Sequence, residues 1–246
     1  MHRLNPVTKL VFALTTTVAA FALTMVWWPL LLLTVTVLPA VLAAGVLRRF
    51  LRLMLVFYTP VLVVVFLIQG LFFPEPSAIV AQWGPLSVKQ EGLIFAAQTS
   101  LRILVLMGGF FFLMLTTHPG TLMSAMAQRG MSSNTGYVVS TTLQIIPAFR
   151  GRAQSILRAQ QARGLELRTA RQRARALLPM VGPLILGAFA EVEERAAAME
   201  ARAFGATRKP TALVPVPDTR AQRAARIVMC VIAAGAVAVN VLGVVR

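Results

Sequence analysis

The sequence has very few of the residues that build metal centres and disulfide frameworks. It contains one cysteine and two histidines in 246 residues. The cysteine, Cys230, lies inside an apolar run, so the chain can form neither an internal disulfide nor a cysteine-based metal site. The histidines, His2 and His118, are far apart, and no His-x-x-x-His pair is present. We therefore expect no metal site and no cofactor.

Motifs for nucleotide binding and for hydrolysis are also missing. The chain has no Walker A sequence, so it cannot hold ATP through a P-loop. It has no Gly-x-Ser-x-Gly elbow and no pair of carboxylates inside an apolar run. Without a set of catalytic residues, we predict that the chain is not an enzyme.

Charged residues are scarce, at 13% of the chain against 57% hydrophobic residues. Three long runs have no charged residue, at 10–47, 53–74 and 227–245. A fourth run, at 92–117, has one. A helix needs about 20 apolar residues to cross a bilayer, and the Trp-Trp-Pro sequence at 27–29 divides the first run in two. A cleaved signal peptide is the alternative for that run, which is too long for one. The sequence therefore predicts an all-α integral membrane protein with about five transmembrane helices, at residues 10–26, 30–47, 53–74, 92–117 and 227–245.

The basic residues are unevenly distributed. There are 24 Lys and Arg against 8 Asp and Glu, and residues 118–226 hold sixteen of the basic residues. Three arginines also lie in the loop at 48–52, whereas the segment 74–91 has one lysine. By the positive-inside rule, we expect the N-terminus, the 48–52 loop and the long basic segment to be cytoplasmic. This divides the chain into a membrane domain at 1–117, a cytoplasmic domain at 118–225 and a fifth transmembrane helix at 226–246.

A basic segment can also indicate nucleic-acid binding. Here the segment is attached to the membrane at both ends, lacks aromatic residues for base stacking and has no zinc-finger or RNP-like pattern. We expect no nucleic-acid partner, and we attribute part of the basic charge to topology and to anionic lipid headgroups of the bilayer.

The first part of the cytoplasmic domain has the pattern of two helices. Apolar positions follow helical spacing over residues 131–149. Pro147 is expected either to kink this helix or to begin the next one. The second helix, over residues 148–162, is expected to end at Gly164, because glycine is favoured after a helix C-terminus.

The second part of the cytoplasmic domain is expected to form one long helix. It begins in a basic stretch, continues through the uncharged residues 176–190 and ends near Ala203. Glu191 and Arg195 are spaced as an i,i+4 ion pair. We expect the helix to lie along the bilayer surface. The alternative is a sixth span over the uncharged residues.

A short basic pattern occurs twice in this domain. "AQQARG" at 159–164 and "AMEARA" at 198–203 place Arg163 and Arg202 near the ends of two predicted helices. The structural explanation is that the helix dipole favours a cation at a helix C-terminus, by less than about 1 kcal/mol. The functional explanation is that each guanidinium clamps a carboxylate on another protein with two hydrogen bonds.

Arg102 is the single charged residue within the run at 92–117. A charged residue inside a membrane is a functional candidate by default. A snorkelling or helix-pairing role is the alternative, structural explanation.

Four stretches of the chain resemble the T component, the transmembrane coupling subunit, of energy-coupling factor (ECF) transporters. "LNPVTKL" at 4–10 is similar to the lead-in to the first span of that family, and "LTTHPGTLMSAM" at 115–126 to the start of its cytoplasmic domain. "LQIIPAFRGRAQSILRAQQARG" and "EVEERAAAMEARAFG" resemble its two coupling-helix signatures, which end in Ala-Arg-Gly. The second copy departs from the family pattern at its last position, Ala203.

The resemblance implies a function without catalysis by this chain. Two long coupling helices would cross on the cytoplasmic face, and each Ala-Arg-Gly end would dock into one of two ATP-binding-cassette ATPase subunits. A separate S component in the membrane would bind the substrate, a vitamin or a transition metal such as cobalt or nickel. The protein would lie in the plasma membrane of a prokaryote. The docking residues implied are Ala162, Arg163, Gly164, Ala201, Arg202 and Ala203.

A stand-alone secondary carrier or a membrane-bound enzyme is the alternative. A carrier is expected to show an internal repeat of spans, and four spans, a domain and one span do not divide in that way. A membrane enzyme needs polar residues clustered at one depth, where this sequence offers only Arg102.

Overall fold

The structure is a computed structural model that describes residues 4–23, 25–72, 79–83, 86–165, 169–204 and 217–243. The chain forms two compact units, Met1–Ala125 with Val216–Arg246 (unit 1) and Met126–Pro215 (unit 2). The described elements, in chain order, are α1 (Pro6–Ala22), α2 (Trp27–Leu32), a π-helical turn (Leu33–Val37), α3 (Leu38–Ala44), α4 (Leu47–Leu71), β1 (Ile79–Trp83), β2 (Leu86–Lys89), α5 (Gln90–Thr116), α6 (Pro119–Ala127), α7 (Ser133–Ala162), α8 (Ala170–Ala201) and α9 (Arg220–Val241).

The predicted class, an all-α integral membrane protein, is confirmed. Five helices of the described part are long and apolar enough to cross a membrane: Trp27–Ala44, Leu47–Leu71, Gln90–Thr116, Ala176–Ala201 and Arg220–Val241. Four of them match predicted spans. The fifth, Ala176–Ala201, lies in the segment that was predicted to follow the bilayer surface, with a sixth span as the alternative. The predicted first span is a shorter apolar helix, Pro6–Ala22, of 17 residues.

The break between the first two apolar helices lies earlier than the Trp-Trp-Pro sequence suggested. α1 ends at Ala22, and the Trp-Trp-Pro residues form the first turn of α2. Proline is tolerated in a first helical turn because its missing N–H has no intrahelical partner there. The indole Nε1 of Trp28 instead donates to the carbonyl of Ala19, at 2.7 Å, and so satisfies an acceptor at the end of α1.

A short β-hairpin lies between α4 and α5, and the sequence analysis did not predict it. β1 and β2 pair antiparallel, with Trp83 opposite Leu86. The hairpin adds a small strand element to the all-α fold and satisfies backbone groups that an extended loop would leave to water.

The main hydrophobic core of unit 1 lies between α3, α4 and α5 and contains Val37, Val41, Met54 and Phe112. Phe12 of α1 packs against it, with its ring centroid 5.6 Å from that of Phe112 in an edge-on arrangement. This core brings together the starts of α1 and α4 and the ends of α3 and α5.

α1 and α5 run antiparallel and contact each other along their length. The Lys9 ammonium donates to the carbonyl of Thr116, the last residue of α5, at 2.7 Å. Farther along, a Cβ atom on Gly109 would lie 3.4 Å from Cα of Ala13, so these small residues allow close packing. Lys9 is 3% exposed, and its charge lies where the dipole of α5 favours a cation.

Polar contacts place the starts of α1 and α9 side by side. The amide of Asn5, the N-cap of α1, donates to the Gln222 side chain at 3.0 Å. Arg226 donates to Thr8 at 2.8 Å and pairs with both carboxylate oxygens of Asp218 at 3.0 Å. The start of α1, the end of α5 and the start of α9 therefore lie at one end of unit 1.

Unit 2 is built on two long helices, α7 and α8, of 30 and 32 residues. The prediction of two helices meeting near Pro147 was wrong, because α7 continues through that proline without interruption. α8 likewise continues through Pro179 and Pro183, as predicted. Each proline removes one backbone N–H donor. The other backbone hydrogen bonds of α7 and α8 remain, and both helices continue. A capping box between Thr169 and Gln172 begins α8.

Candidate functional site

α7 ends in the backbone motif that glycine favours. Arg163 is the C-cap residue, and Gly164 after it has a φ of 93°. The amide of Gly164 donates to the carbonyl of Gln161 at 3.0 Å, and the amide of Leu165 donates to that of Gln160 at 3.0 Å. These two bonds define a Schellman motif. The predicted end of the helix at Gly164 is confirmed.

α8 ends in the same motif, although it has no glycine at the critical position. Arg202 is the C-cap residue, and Ala203 has a φ of 53°. The amide of Ala203 donates to the carbonyl of Glu200 at 3.0 Å, and the amide of Phe204 donates to that of Met199 at 3.0 Å. The two copies of the sequence pattern therefore share one backbone conformation, with the arginine at the same position in each.

Both arginines are accessible at the ends of their helices. Within the described residues, neither guanidinium has a hydrogen bond or an ion pair. Their small neighbours leave room for another surface to approach. All six residues of the predicted docking site are exposed, namely Ala162, Arg163, Gly164, Ala201, Arg202 and Ala203.

An ion pair joins α7 to α8, and its two residues lie equally far along the chain from Arg163 and from Arg202. Arg152 of α7 lies 3.0 Å from Glu191 of α8 and also donates to the carbonyl of Gly187 at 3.1 Å. Arg163 follows Arg152 by eleven residues, and Arg202 follows Glu191 by eleven. We call residues 152–164 the first arm and residues 191–203 the second arm. Eleven helical residues measure about 16 Å, so each arginine stands that far along its arm.

Arg195 pairs with the same glutamate from within α8. Its guanidinium lies 2.8 Å from Glu191, which confirms the predicted i,i+4 pair. Glu191 thus pairs with one arginine on its own helix and with Arg152 on the other.

The second arm has an additional contact with the start of α7. The rings of Tyr137 and Phe204 lie 4.9 Å apart between centroids. Because Tyr137 precedes Arg152 while Phe204 follows Glu191, α7 and α8 run antiparallel along this stretch. A cleft of about 310 Å³ opens beside the rings and is lined by Tyr137, Arg195, Ala198, Met199, Arg202 and Phe204.

Arg102 lies in unit 1, where it contacts the end of α1. Its Nη2 donates to the carbonyl of Leu23 at 3.0 Å, and its guanidinium lies over the Phe21 ring at 5.9 Å. Leu23 is the C-cap residue of the short helix α1. A backbone acceptor at a helix end needs a donor when water is absent, and Arg102 supplies it. A direct functional role for Arg102 stays a prediction.

Sequence reasoning did not identify two basic residues that fix helix ends or helix pairs. Lys9 lies within the lead-in motif, and its partner Thr116 is far away in the chain. Arg152 resembled any other arginine of a basic helix. The spacing of 39 residues offered a signal for it, since Arg152 and Glu191 are separated by the same interval as Arg163 and Arg202.

Neither metal chemistry nor acid–base chemistry has an evident centre in the described part of the chain. No group of three or more His, Cys, Asp or Glu side chains there could hold a metal ion. The acidic residues that the structure describes lie in ion pairs or on exposed helix surfaces.

The fold and the paired arms define a class of protein: a multi-pass membrane protein with a second, two-helix unit that presents two matching basic ends. Comparison with known families then identifies the family. Residues 1–212 match the model of the cobalt transport protein family, CbiQ, and the chain belongs to this family.

Curated relatives named energy-coupling factor transporter transmembrane protein EcfT are similar over much of the chain. The protein of Thermosediminibacter oceani is 26% identical over 251 residues, covering 96% of this chain and 92% of its own length. That of Heliobacterium modesticaldum is 29% identical, covering 83% and 79% respectively. The protein of Exiguobacterium sibiricum is 33% identical over a shorter match, which spans 56% of each chain.

Proposed function

We propose that the chain is the membrane coupling subunit of an ATP-driven importer of the energy-coupling factor type. In this role it hydrolyses no ATP and transmits the motion of two ATPase subunits to a separate substrate-binding S component. The observation that carries the proposal is the pair of matching helix ends, in which two exposed arginines occupy equivalent positions of two Schellman motifs. Two equivalent ends on one chain suit two equivalent partners.

The chemistry of the arms fits docking on acidic grooves. A guanidinium can bind a carboxylate through two parallel hydrogen bonds. Arg163 and Arg202 are exposed, so such a partner can reach both. The alanine before each arginine and the small residue after it would let the helix end enter a narrow groove. Each arginine would therefore bind one acidic site, one on each ATPase subunit.

The arrangement of unit 1 supports a location of unit 2 on one side of the membrane. The end of α5 and the start of α9 lie at the same end of unit 1, since Lys9 contacts Thr116 and Asn5 contacts Gln222. A segment that leaves and returns on one side crosses the membrane an even number of times. α8 is the single helix described in unit 2 that is long and apolar enough to span. We therefore assign α8 to the membrane surface rather than to a sixth span.

The charge distribution favours the cytoplasm for that side. The end of unit 1 that carries the starts of α1, α4 and α9 also carries most of its basic residues, including Lys9, Arg48, Arg49, Arg52, Arg220, Arg223 and Arg226. By the positive-inside rule this end faces the cytoplasm, where ATPase subunits have access to ATP. The membrane would be the plasma membrane of a prokaryote.

The apolar face of α8 suits the membrane surface or the S component. Leu178, Val181, Ile185 and Phe189 are exposed at helical spacing along its first two-thirds. Such a stripe on a helix that also carries charged residues favours the boundary between bilayer and water. The substrate would be chosen by the S component, so a vitamin and a transition-metal ion are both compatible with this chain.

Copurification tests the proposal. The chain, expressed with its chromosomal neighbours and isolated from membranes in mild detergent, should retain two ATPase subunits for each copy. Alone, it should neither hydrolyse ATP nor transport. A chain that purifies without ATPases and transports a solute in proteoliposomes would contradict the proposal and support a secondary carrier.

A further inference from the structure

The two arms differ at the residue after the arginine. Gly164 adopts a left-handed conformation, with φ of 93°, which costs glycine nothing, whereas Ala203 adopts one with φ of 53°. A left-handed alanine is disfavoured roughly tenfold relative to glycine. Ala203 is the only non-glycine residue with a positive φ in the part of the chain that the structure describes. Some other contact has to hold it there.

The second arm has such a contact, and within the described residues no aromatic contact is found at the first arm. The residue after Ala203 is Phe204, whose ring packs against Tyr137 at 4.9 Å between centroids and lines a cleft with Met199. Met199 also accepts the hydrogen bond from the Phe204 amide. An apolar contact between these two positions commonly accompanies a Schellman motif. The corresponding residues of the first arm, Leu165 and Gln160, offer no aromatic ring.

We infer that Tyr137 and Phe204 are positioning residues that form an aromatic clasp on the second arm. The clasp holds Ala203 in its left-handed conformation and thereby fixes the direction in which Arg202 leaves the helix. The first arm needs no clasp because Gly164 adopts the turn unaided. The consequence for transport rests on the proposed function, in which Arg202 docks an ATPase subunit.

Hydrogen exchange of the isolated chain tests the clasp without any partner. In detergent micelles, Phe204→Ala should raise the exchange rate of the amides at 203 and 204 about tenfold, because a tenfold bias toward the turn is lost. Tyr137→Leu should act in the same direction. The double variant Ala203→Gly/Phe204→Ala should return to within about threefold of the wild-type rate, since glycine removes the conformational cost. Rapid exchange in the double variant, equal to that of Phe204→Ala, would overturn the inference.

Docking supplies the second measurement, made with the ATPase subunits that copurify with the wild-type chain. Phe204→Ala should weaken their binding about tenfold, and the added Ala203→Gly should restore most of it. The matched control is Gly164→Ala, which places an alanine in the first arm without a clasp and should weaken binding by a similar factor. If Ala203→Gly fails to rescue Phe204→Ala in binding, Phe204 contacts the partner directly and the positioning role is wrong. If the wild-type chain binds no ATPase, the proposed function fails, while the exchange experiment still decides the clasp.

Discussion

Arg152 and Glu191 form an ion pair, at 3.0 Å, that stands eleven residues before the arginine at the end of each arm. The pair joins α7 to α8 at matching points, and Arg152 also holds the carbonyl of Gly187. Motion received at either arginine would therefore reach the other arm through this junction. In the proposed mechanism, the junction keeps the two arms in a fixed position relative to each other while the ATPase subunits approach and separate.

The first prediction concerns this junction. Arg152→Ala should lower transport per ATP hydrolysed, because the arms lose their shared contact while both docking ends remain. The pair is partly exposed, so its contribution to stability should be only about 1 kcal/mol, and expression should stay normal. Arg195→Ala is the control, since it removes an ion pair of Glu191 within a single helix. An equal loss of coupling in both variants would mean that the interhelix contact has no special role.

The second prediction concerns Lys9. Lys9→Met leaves the carbonyl of Thr116 without its donor in a buried position, which should cost about 1–3 kcal/mol. In detergent the melting temperature should fall by about 2–10 °C. Arg48→Met removes the same charge at the same end from an exposed side chain and should leave the melting temperature nearly unchanged. A stable Lys9→Met variant would show that the contact does not support the bundle.

The third prediction separates the two roles considered for Arg102. Arg102→Leu removes the donor to the Leu23 carbonyl and should lower the yield of folded protein. Arg102→Lys can still donate one hydrogen bond there, and it should recover most of the yield. Size-exclusion chromatography after solubilisation provides the measurement. If Arg102→Leu folds normally but abolishes transport, the residue acts functionally, and its contact with α1 is incidental.

Much of this fold follows from local sequence, and the exceptions have physical causes. The end of α7 at Gly164 and the Glu191–Arg195 pair depend on neighbouring residues, so both could be predicted. The continuation of α7 through Pro147 could not, because a proline at that position removes a backbone donor and is typical of a kink or a helix boundary. Lys9 depends on a carbonyl 107 residues away, a relation that no local pattern contains.

The candidate site, too, could be predicted from the sequence only in part. The positions of Arg163 and Arg202 were visible as a repeat in the sequence. The compensation of Ala203 by Phe204 and Tyr137 was not, because it needs both the backbone conformation of one helix end and the approach of a distant helix start.

The fourth prediction concerns topology. In a chain with Cys230→Ser, a cysteine at Arg171 should react with a membrane-impermeant maleimide only after the cells are permeabilised. A cysteine at Gln90, an exposed residue at the opposite end of unit 1, should react in intact cells. Labelling of position 171 in intact cells would place unit 2 outside and would be incompatible with docking on cytoplasmic ATPases.

The binding affinity of the ATPase subunits for variants of the two arginines tests the central claim most directly. An Arg–carboxylate contact that becomes buried on docking costs roughly 3–5 kcal/mol when one partner is removed, whereas a helix-dipole effect is below about 1 kcal/mol. Arg163→Ala and Arg202→Ala should therefore each weaken binding at least about a hundredfold, with insertion into the membrane unchanged, and the double variant should bind still less. Arg171→Ala, an exposed arginine in the first turn of α8, should bind almost as the wild type does. If Arg171→Ala weakens binding as much as Arg163→Ala, general positive charge explains the interaction, and the two arms are not docking sites.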